Sequence, residues 1–222
     1  MHIHLPKPMH GWRAFVGEVG VIVLGISIAI GFEQVVETAH WKREVHKARR
    51  AIDDDMVRTN RAFAYRVAAQ GCIQRRINSL NEIVERVAKH EPSPSIGSVV
   101  PDIGNGLGKT AWETSRAAQT LAHFEDKELA SYGSYYMLLD NIQAFMGQEV
   151  TDWGVLRILE GDPTRLGPAD LAALRIAVKH ATFENHIIAA IATDELETSR
   201  TLGVATANLD QARLSEVCQP LR

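Results

Sequence analysis

The chain is 222 residues long, with 24 basic and 27 acidic side chains, a formal net charge of −3 and 45% hydrophobic residues. That length suits one or two domains with a core of useful size. The near balance of charge speaks against a nucleic-acid binder, which carries a basic surplus. Two cysteines are too few for a disulfide scaffold or a cysteine-rich zinc module.

The averages conceal an uneven distribution: Lys7, Arg13 and Glu18 are the only charged residues among positions 1–32. Residues 19–32, VGVIVLGISIAIGF, carry no charge, and Ser27 is their one polar side chain. This run alone is short for a membrane span. Ala14, Phe15 and Val16 extend it past Glu18, and Val35 and Val36 extend it past Glu33 and Gln34. The result is an apolar stretch of about 20 residues with its acids near the ends, within reach of lipid headgroups. Trp12 and Trp41 bracket it about 29 helical steps apart, or ~44 Å, which matches the core plus headgroup thickness of a bilayer and resembles an aromatic belt. The pattern predicts a short tail over 1–13 and a transmembrane helix over 14–36.

Two other readings of this segment compete. A cleaved signal peptide would use Lys7 and Arg13 as its basic start and Ser27-Ile28-Ala29 as its small-x-small site. Against cleavage, the apolar run continues through Ile30, Gly31 and Phe32 into a helical pattern. A soluble core helix would need apolar surroundings on all sides, which the later sequence does not offer. Within the span, Gly25 and Ala29 lie four apart, as do Ser27 and Gly31. That spacing lets two helices approach closely and allows a homodimer.

Between Glu33 and Glu91 there is no proline and one glycine, Gly71. Apolar side chains recur at Val45, Ala48, Ile52, Met56, Phe63, Val67, Ile73, Ile77, Leu80, Val84 and Val87, the stripe of one long amphipathic helix. Residues 91–109 are rich in proline and glycine and form a loop. A second helix is predicted from Thr110, with Thr110 as N-cap of a capping box with Glu113, to about His123. A third carries Leu129, Tyr132, Tyr136, Leu139, Ile142, Met146, Val150 and Trp153, and ends at Gly161-Asp162-Pro163. Pro168 suits the first turn of a fourth, with Leu171, Leu174, Val178, Ala181 and Ile188 on one side until Gly203. The tail over 204–222 is expected to hold one more short helix, around Leu209 to Val217. No run alternates with period two for long enough to make a sheet. The predicted fold is all-α: the transmembrane helix continues into an antiparallel bundle of about four helices over 37–222.

Chemical motifs are weak. Gly104 to Thr110 resembles a phosphate-binding loop, but Ile103 stands where the pattern requires glycine and no buried strand precedes it. Glu37 and His40 have the spacing of a carboxylate di-iron motif, with no second copy in the chain. His180 and Glu184 are neighbours on a helix, and His186 falls on another face. No Gly-x-Ser-x-Gly occurs, and neither cysteine has an activating sequence context. The aromatic group Tyr132, Tyr135, Tyr136, Phe145 and Trp153 has core spacing, with a ligand groove as the alternative. No cofactor, metal or catalytic residue is predicted.

Membrane orientation is contested. Lys42, Arg43, Lys47, Arg49 and Arg50 follow Trp41 as a collar suited to lipid phosphates, and counting Lys and Arg on the two sides favours a cytoplasmic body. An oxidising compartment would instead let Cys72 and Cys218 pair and pin the tail to the bundle, for roughly 4–5 kcal/mol in the chain-entropy model. Unpaired buried cysteines are also common.

The segment Gly11-Trp12-Arg13-Ala14-Phe15, then Gly17-Glu18-Val19 and Ile22-Val23-Leu24-Gly25-Ile26, resembles the start of a bacterial family of single-span membrane proteins. That family is a domain of unknown function found in proteobacteria and related phyla. Glu18, Gly25, Ala29, Glu33, Gln34 and Trp41 match its pattern. The helix opening at Trp112, the tyrosine-rich third helix and the pair Cys72 and Cys218 are similar to its proteobacterial branch. The resemblance implies an inner-membrane anchor and a helical extracytoplasmic body, and it implies no activity. The basic collar departs from an N-terminus-inside orientation. Weighed together, these features favour a periplasmic body. The expected role is non-enzymatic binding of a protein partner or the envelope, with the lipid bilayer as the other partner. The alternatives are a membrane-tethered small-molecule binder or enzyme with a pocket beside the third helix, or a cytoplasmic accessory subunit if the topology is reversed.

Overall fold

The computed structural model describes residues 11–93, 96–101, 106–160, 165–205 and 208–221, and every regular element among them is helical. Five α-helices follow in order: α1 Trp12–Ala88, α2 Thr110–Ala117, α3 Asp126–Leu156, α4 Pro168–Thr201 and α5 Gln211–Val217. Single 3-10 turns lie at Thr120–His123 and Arg157–Glu160. The chain divides into two compact units, Met1–Lys47 and Ala48–Arg222, and α1 contributes to both.

α1 runs for 77 residues because nothing stops it: no proline stands between Pro8 and Pro92. Its end is a Schellman motif. The Glu91 N–H donates to the Arg86 carbonyl at 2.9 Å, and the His90 N–H donates to that of Val87 at 3.0 Å. The motif requires left-handed backbone at the residue past the cap, and here that residue is His90, with φ +58°. α4 ends in the same way. Val204 donates to Ser199 at 2.9 Å and Gly203 to Arg200 at 3.0 Å, with Gly203 supplying φ +76° at little steric cost.

α2 departs from the sequence expectation. Thr110 is its first helical residue, Lys109 occupies the cap position, and no side chain caps the helix locally, so the Thr110–Glu113 capping box is absent. The free N–H groups are satisfied from α1 instead: Ala111 N donates to the Asp55 carboxylate at 2.7 Å, and Gly108 N donates to Thr59 Oγ1 at 3.1 Å. The helix also stops early, at Ala117, where the chain turns through left-handed Gln119 (φ +59°) into the turn at Thr120–His123.

The long helices do not simply alternate in direction. α3 and α4 are antiparallel, with the Phe145 ring 6.2 Å from that of Phe183 and His180 beside Asp152 at 3.3 Å. α1 and α3, by contrast, run the same way. Arg49 pairs with Glu128, Asp53 accepts from Tyr132 at 2.8 Å, Asn60 from Tyr135 at 3.4 Å, and Arg66 donates to Glu149 at 2.5 Å, so the two sequence numbers rise together. After Ala88 the chain must therefore return to the level of Asp55 before α3 can begin. That return is ~50 Å along a helix axis, and a 21-residue connection can span roughly 70 Å when extended. The predicted loop over 91–109 is this return segment. Its described residues have no regular structure.

The core of Ala48–Arg222 is apolar at both ends. At one end Ile73, Ile77, Leu80 and Val84 of α1 cluster with Trp153 and Leu156 of α3 and Leu174, Ala177 and Ala181 of α4. At the other, Ile52, Met56 and Phe63 are buried, as are Tyr132, Tyr135, Tyr136, Leu139 and Ile142 of α3 and Ile188 and Ala192 of α4. α5 is capped by the Asp210 carboxylate, which accepts from Arg213 N at 3.1 Å. Cys218, just past α5, is disulfide-bonded to Cys72 of α1, and Val217 enters the core.

Candidate functional site

Two features of the chain call for a functional account, one in each unit. The first is the start of α1. Val21, Ile22, Val23 and Leu24 are consecutive and therefore point around the whole helix, yet they are 72%, 60%, 56% and 61% exposed. Phe15, Phe32, Val35 and Val36 are exposed as well. A helix that is apolar on every side belongs inside a core or a bilayer. This is the one helix among the described residues long and apolar enough to cross a membrane.

The flanking residues fall as follows. Trp12 is exposed, and Trp41 is half-buried, with its indole N–H donating to Glu37 at 3.4 Å and its ring edge-on to His40. Lys42, Arg43 and Arg50 are exposed, and Lys47 pairs with Glu44 at 2.7 Å. Arg49 departs from the predicted collar. Both of its forks engage Glu128 on α3, and the carboxylate holds the guanidinium in its charged form. Gly25 and Ala29 lie on exposed helix surface, and a Cβ at Gly25 would meet nothing within 4 Å.

The second feature is a buried polar layer between the two apolar ends of the core. Arg66 from α1 is 3% exposed; it donates to Glu149 of α3, which is fully buried, and to Asn185 of α4 at 3.3 Å. The Asn185 amide donates back to the Gln70 carbonyl at 3.2 Å and to Gln74 Oε1 at 3.1 Å. Beside them, Asp152 accepts from Gln148 at 3.0 Å and faces His180, while Glu184 completes a group of three carboxyls. Burial raises the Glu149 carboxyl above its ordinary range, against the pull of Arg66 and the Trp153 indole. Burial, then the Asp152 carboxylate, pushes Glu184 up to about 8. Farther along α4, Glu195 is fully buried with neither carboxyl oxygen partnered, and burial pushes it up to about 8 as well. Glu184 therefore favours its protonated form at neutral pH. The layer is closely packed: Phe63, Arg66, Ile142, Met146 and Ile188 close around a gap of only about 10 Å³.

Tyr132, Tyr135, Tyr136 and Trp153 are all at most 3% exposed and act as core; Tyr135 and Tyr136 meet edge to face, Tyr132 donates to Asp53 and Tyr135 to Asn60. Trp112 stacks on Tyr136 with ring centres 4.9 Å apart. The larger described cavities lie elsewhere. One of about 440 Å³ sits at the end of α1 between Val87, His90, Pro92, Leu166 and Leu171, and one of about 270 Å³ lies beside the C-terminal segment. The groups that a phosphate loop would use are engaged within the fold: Gly108 N on Thr59, Ala111 N on Asp55, and Lys109 Nζ on Asp140 at 2.8 Å. Gly104 and Asn105, like His2, His4, His10 and the Gly161-Asp162-Pro163 breaker, lie outside the described residues. Among the described residues no three His, Cys, Asp or Glu side chains gather to hold a metal ion.

Two positions on the predicted stripes give way to a charged neighbour, and Val45, Ala48, Leu129, Met146 and Leu171 are half-buried rather than buried. Position 150 was expected to be buried, but Val150 is 60% exposed and Glu149 is buried in its place; Val67 is half-buried while its neighbour Arg66 is buried. These are one change, since Arg66 and Glu149 pair with each other. Either neighbour fits a three-or-four spacing, and hydrophobicity alone selects the valines. The available signal was an arginine and a glutamate each sitting on an otherwise apolar stripe. Compared with protein-family profiles, with curated proteins and with solved structures, the chain matches none.

Proposed function

We propose that this chain is a single-span membrane protein of the bacterial inner membrane whose helical body lies on the oxidising, periplasmic side and binds a protein partner or the envelope rather than catalysing a reaction. The observation that carries the anchor is the all-round exposure of the apolar residues of α1, from Phe15 to Val36. In water that surface is strongly unfavourable, at roughly 25 cal/mol per Å² of apolar area, whereas a bilayer covers it. Trp12 and Trp41 with Lys42 and Arg43 supply the two interfaces.

The side of the membrane is argued from the Cys72–Cys218 disulfide, because such bonds persist in oxidising compartments. The basic collar of Lys42, Arg43, Lys47, Arg49 and Arg50 argues the other way, since Lys and Arg beside a span favour the cytoplasmic side. The resemblance of the N-terminal segment to a single-span family with an extracytoplasmic body supports the same side. A binding role is favoured over catalysis because the buried carboxyls close on one another and on Arg66 in packed core.

C-terminal fusions to two reporters, one active only in the periplasm and one only in the cytoplasm, test the orientation. Periplasmic activity is expected, and activity of the cytoplasmic reporter alone would reverse the side. Alkaline carbonate extraction tests the anchor: the chain should stay in the membrane pellet, and its release into the supernatant would overturn the span.

A further inference from the structure

We propose that the Cys72–Cys218 bond is a thiol-exchange site, at which an external dithiol attacks Sγ of Cys218 and Cys72 departs as a thiolate held by Arg75. The two ends of the bond differ. Cys72 is 8% exposed, on the core face of α1, whereas Cys218 is exposed just beyond α5. Arg75, one turn along α1, donates from Nη2 to the Cys72 sulfur at 3.1 Å. A fixed positive charge on one sulfur lowers its thiol pKa and makes it the better leaving group, while access selects the other sulfur for attack.

Cys218 is open to solvent, and a groove of about 270 Å³ lined by Arg76, Val100, Pro101, Glu216 and Leu221 lies beside the segment that carries it. In the first step the attacking thiolate forms a sulfur–sulfur bond to Cys218, and the electron pair of the old bond goes to Cys72. In the second step the dithiol's other thiolate attacks its own sulfur in the mixed disulfide and expels the Cys218 thiolate. The dithiol is oxidised to a disulfide by two electrons, and the two cysteines are reduced by two. The tail then stays attached by non-covalent contacts, among them Val217, Leu214 and Leu221 against the core, Arg213 over the Tyr65 ring, and Arg76, which donates to the Gln219 carbonyl at 3.1 Å. The proposal concerns local chemistry and stands whichever side of the membrane the body occupies.

The test uses the full-length oxidised protein in detergent. Exposure to glutathione followed by acid quench and peptide mapping should place the adduct on Cys218, and an adduct mainly on Cys72 would overturn the order of attack. Reduction by dithiothreitol should be about five-fold slower in Arg75→Met, with Arg75→Lys recovering part of the rate. An unchanged rate in Arg75→Met would overturn the role of the arginine. Helicity by circular dichroism checks that these variants fold, which is expected because Arg75 is exposed. In Cys218→Ser, the pH profile of Cys72 alkylation should give a thiol pKa below the usual ~8.5; a value at or above it would also reject the assignment.

Discussion

Arg66 and Glu149 show what one residue pair can decide. Each is surrounded by helix–helix packing, and each still has unpartnered polar atoms: Nε and Nη1 on Arg66, Oε2 on Glu149. Removing one partner would leave the other charge buried alone, so Arg66→Met or Glu149→Leu alone should lower stability by about 3–5 kcal/mol in urea unfolding. The double substitution replaces the pair with apolar volume and should recover most of that loss. Equal losses from single and double variants would mean that packing, not charge, governs the site. The same layer gives a pH dependence. Glu184 is held protonated up to about 8 by burial and by Asp152, while the unfolded chain releases that proton near 4.5. Its contribution is therefore complete below pH 4.5 and is lost as pH rises through 8, at up to about 1.4 kcal/mol per pH unit. Arg66 from α1, Glu149 and Asp152 from α3 and His180 on α4 are the charged or titratable groups facing it. Glu184→Gln should flatten the fall in melting temperature between pH 5 and 8, and an unchanged slope would assign that fall to other groups such as Glu195. None of this was legible in hydrophobic periodicity, because Val67 and Val150 offer equally good helical spacing beside the true core positions.

Helices were far more legible than the devices that end them. The absence of proline across α1, Pro168 at the start of α4 and Gly203 at its end are local signals, and each element lies where they place it. The start of α2 could not be read locally, because its N–H groups are satisfied by Asp55, which lies 56 positions earlier in sequence. A threonine followed three residues later by glutamate imitates a cap that a distant carboxylate already provides. The end of α1 carries the opposite kind of exception, a histidine in a position that glycine fills more cheaply. Left-handed backbone costs a side-chain-bearing residue roughly 1–2 kcal/mol, offset in part by the chain entropy that glycine adds to the unfolded state. His90→Gly should therefore stabilise the body by about 1 kcal/mol, read as a rise in melting temperature, whereas Gly203→Ala should lower it. A destabilised His90→Gly would show that the imidazole makes contacts outweighing its backbone strain.

For the whole molecule, composition separated a membrane-type segment from a soluble-type body, but periodicity could not tell in which direction each helix runs. A stripe of apolar residues fixes the buried face and is unchanged when the helix is reversed. Direction is set by the connections, and a proline- and glycine-rich stretch between α1 and α2 is long enough either to turn locally or to travel back along α1 to the level of Asp55. The contacts decide: Asp53 meets Tyr132 near the start of α3, and Arg66 meets Glu149 near its end. Spin labels attached without thiol chemistry at the exposed positions Arg50, Lys127 and Arg157 separate the two arrangements while leaving the disulfide intact. With α1 and α3 parallel, the Arg50–Lys127 distance should be short, within about 25 Å including the labels. Arg157 lies some 30 helical positions beyond Lys127, so its distance from Arg50 should approach ~45 Å. The reverse order of the two distances would require α3 to point the other way. Arg66 could then no longer reach Glu149, and the polar layer on which the residue-scale predictions rest would be lost with it.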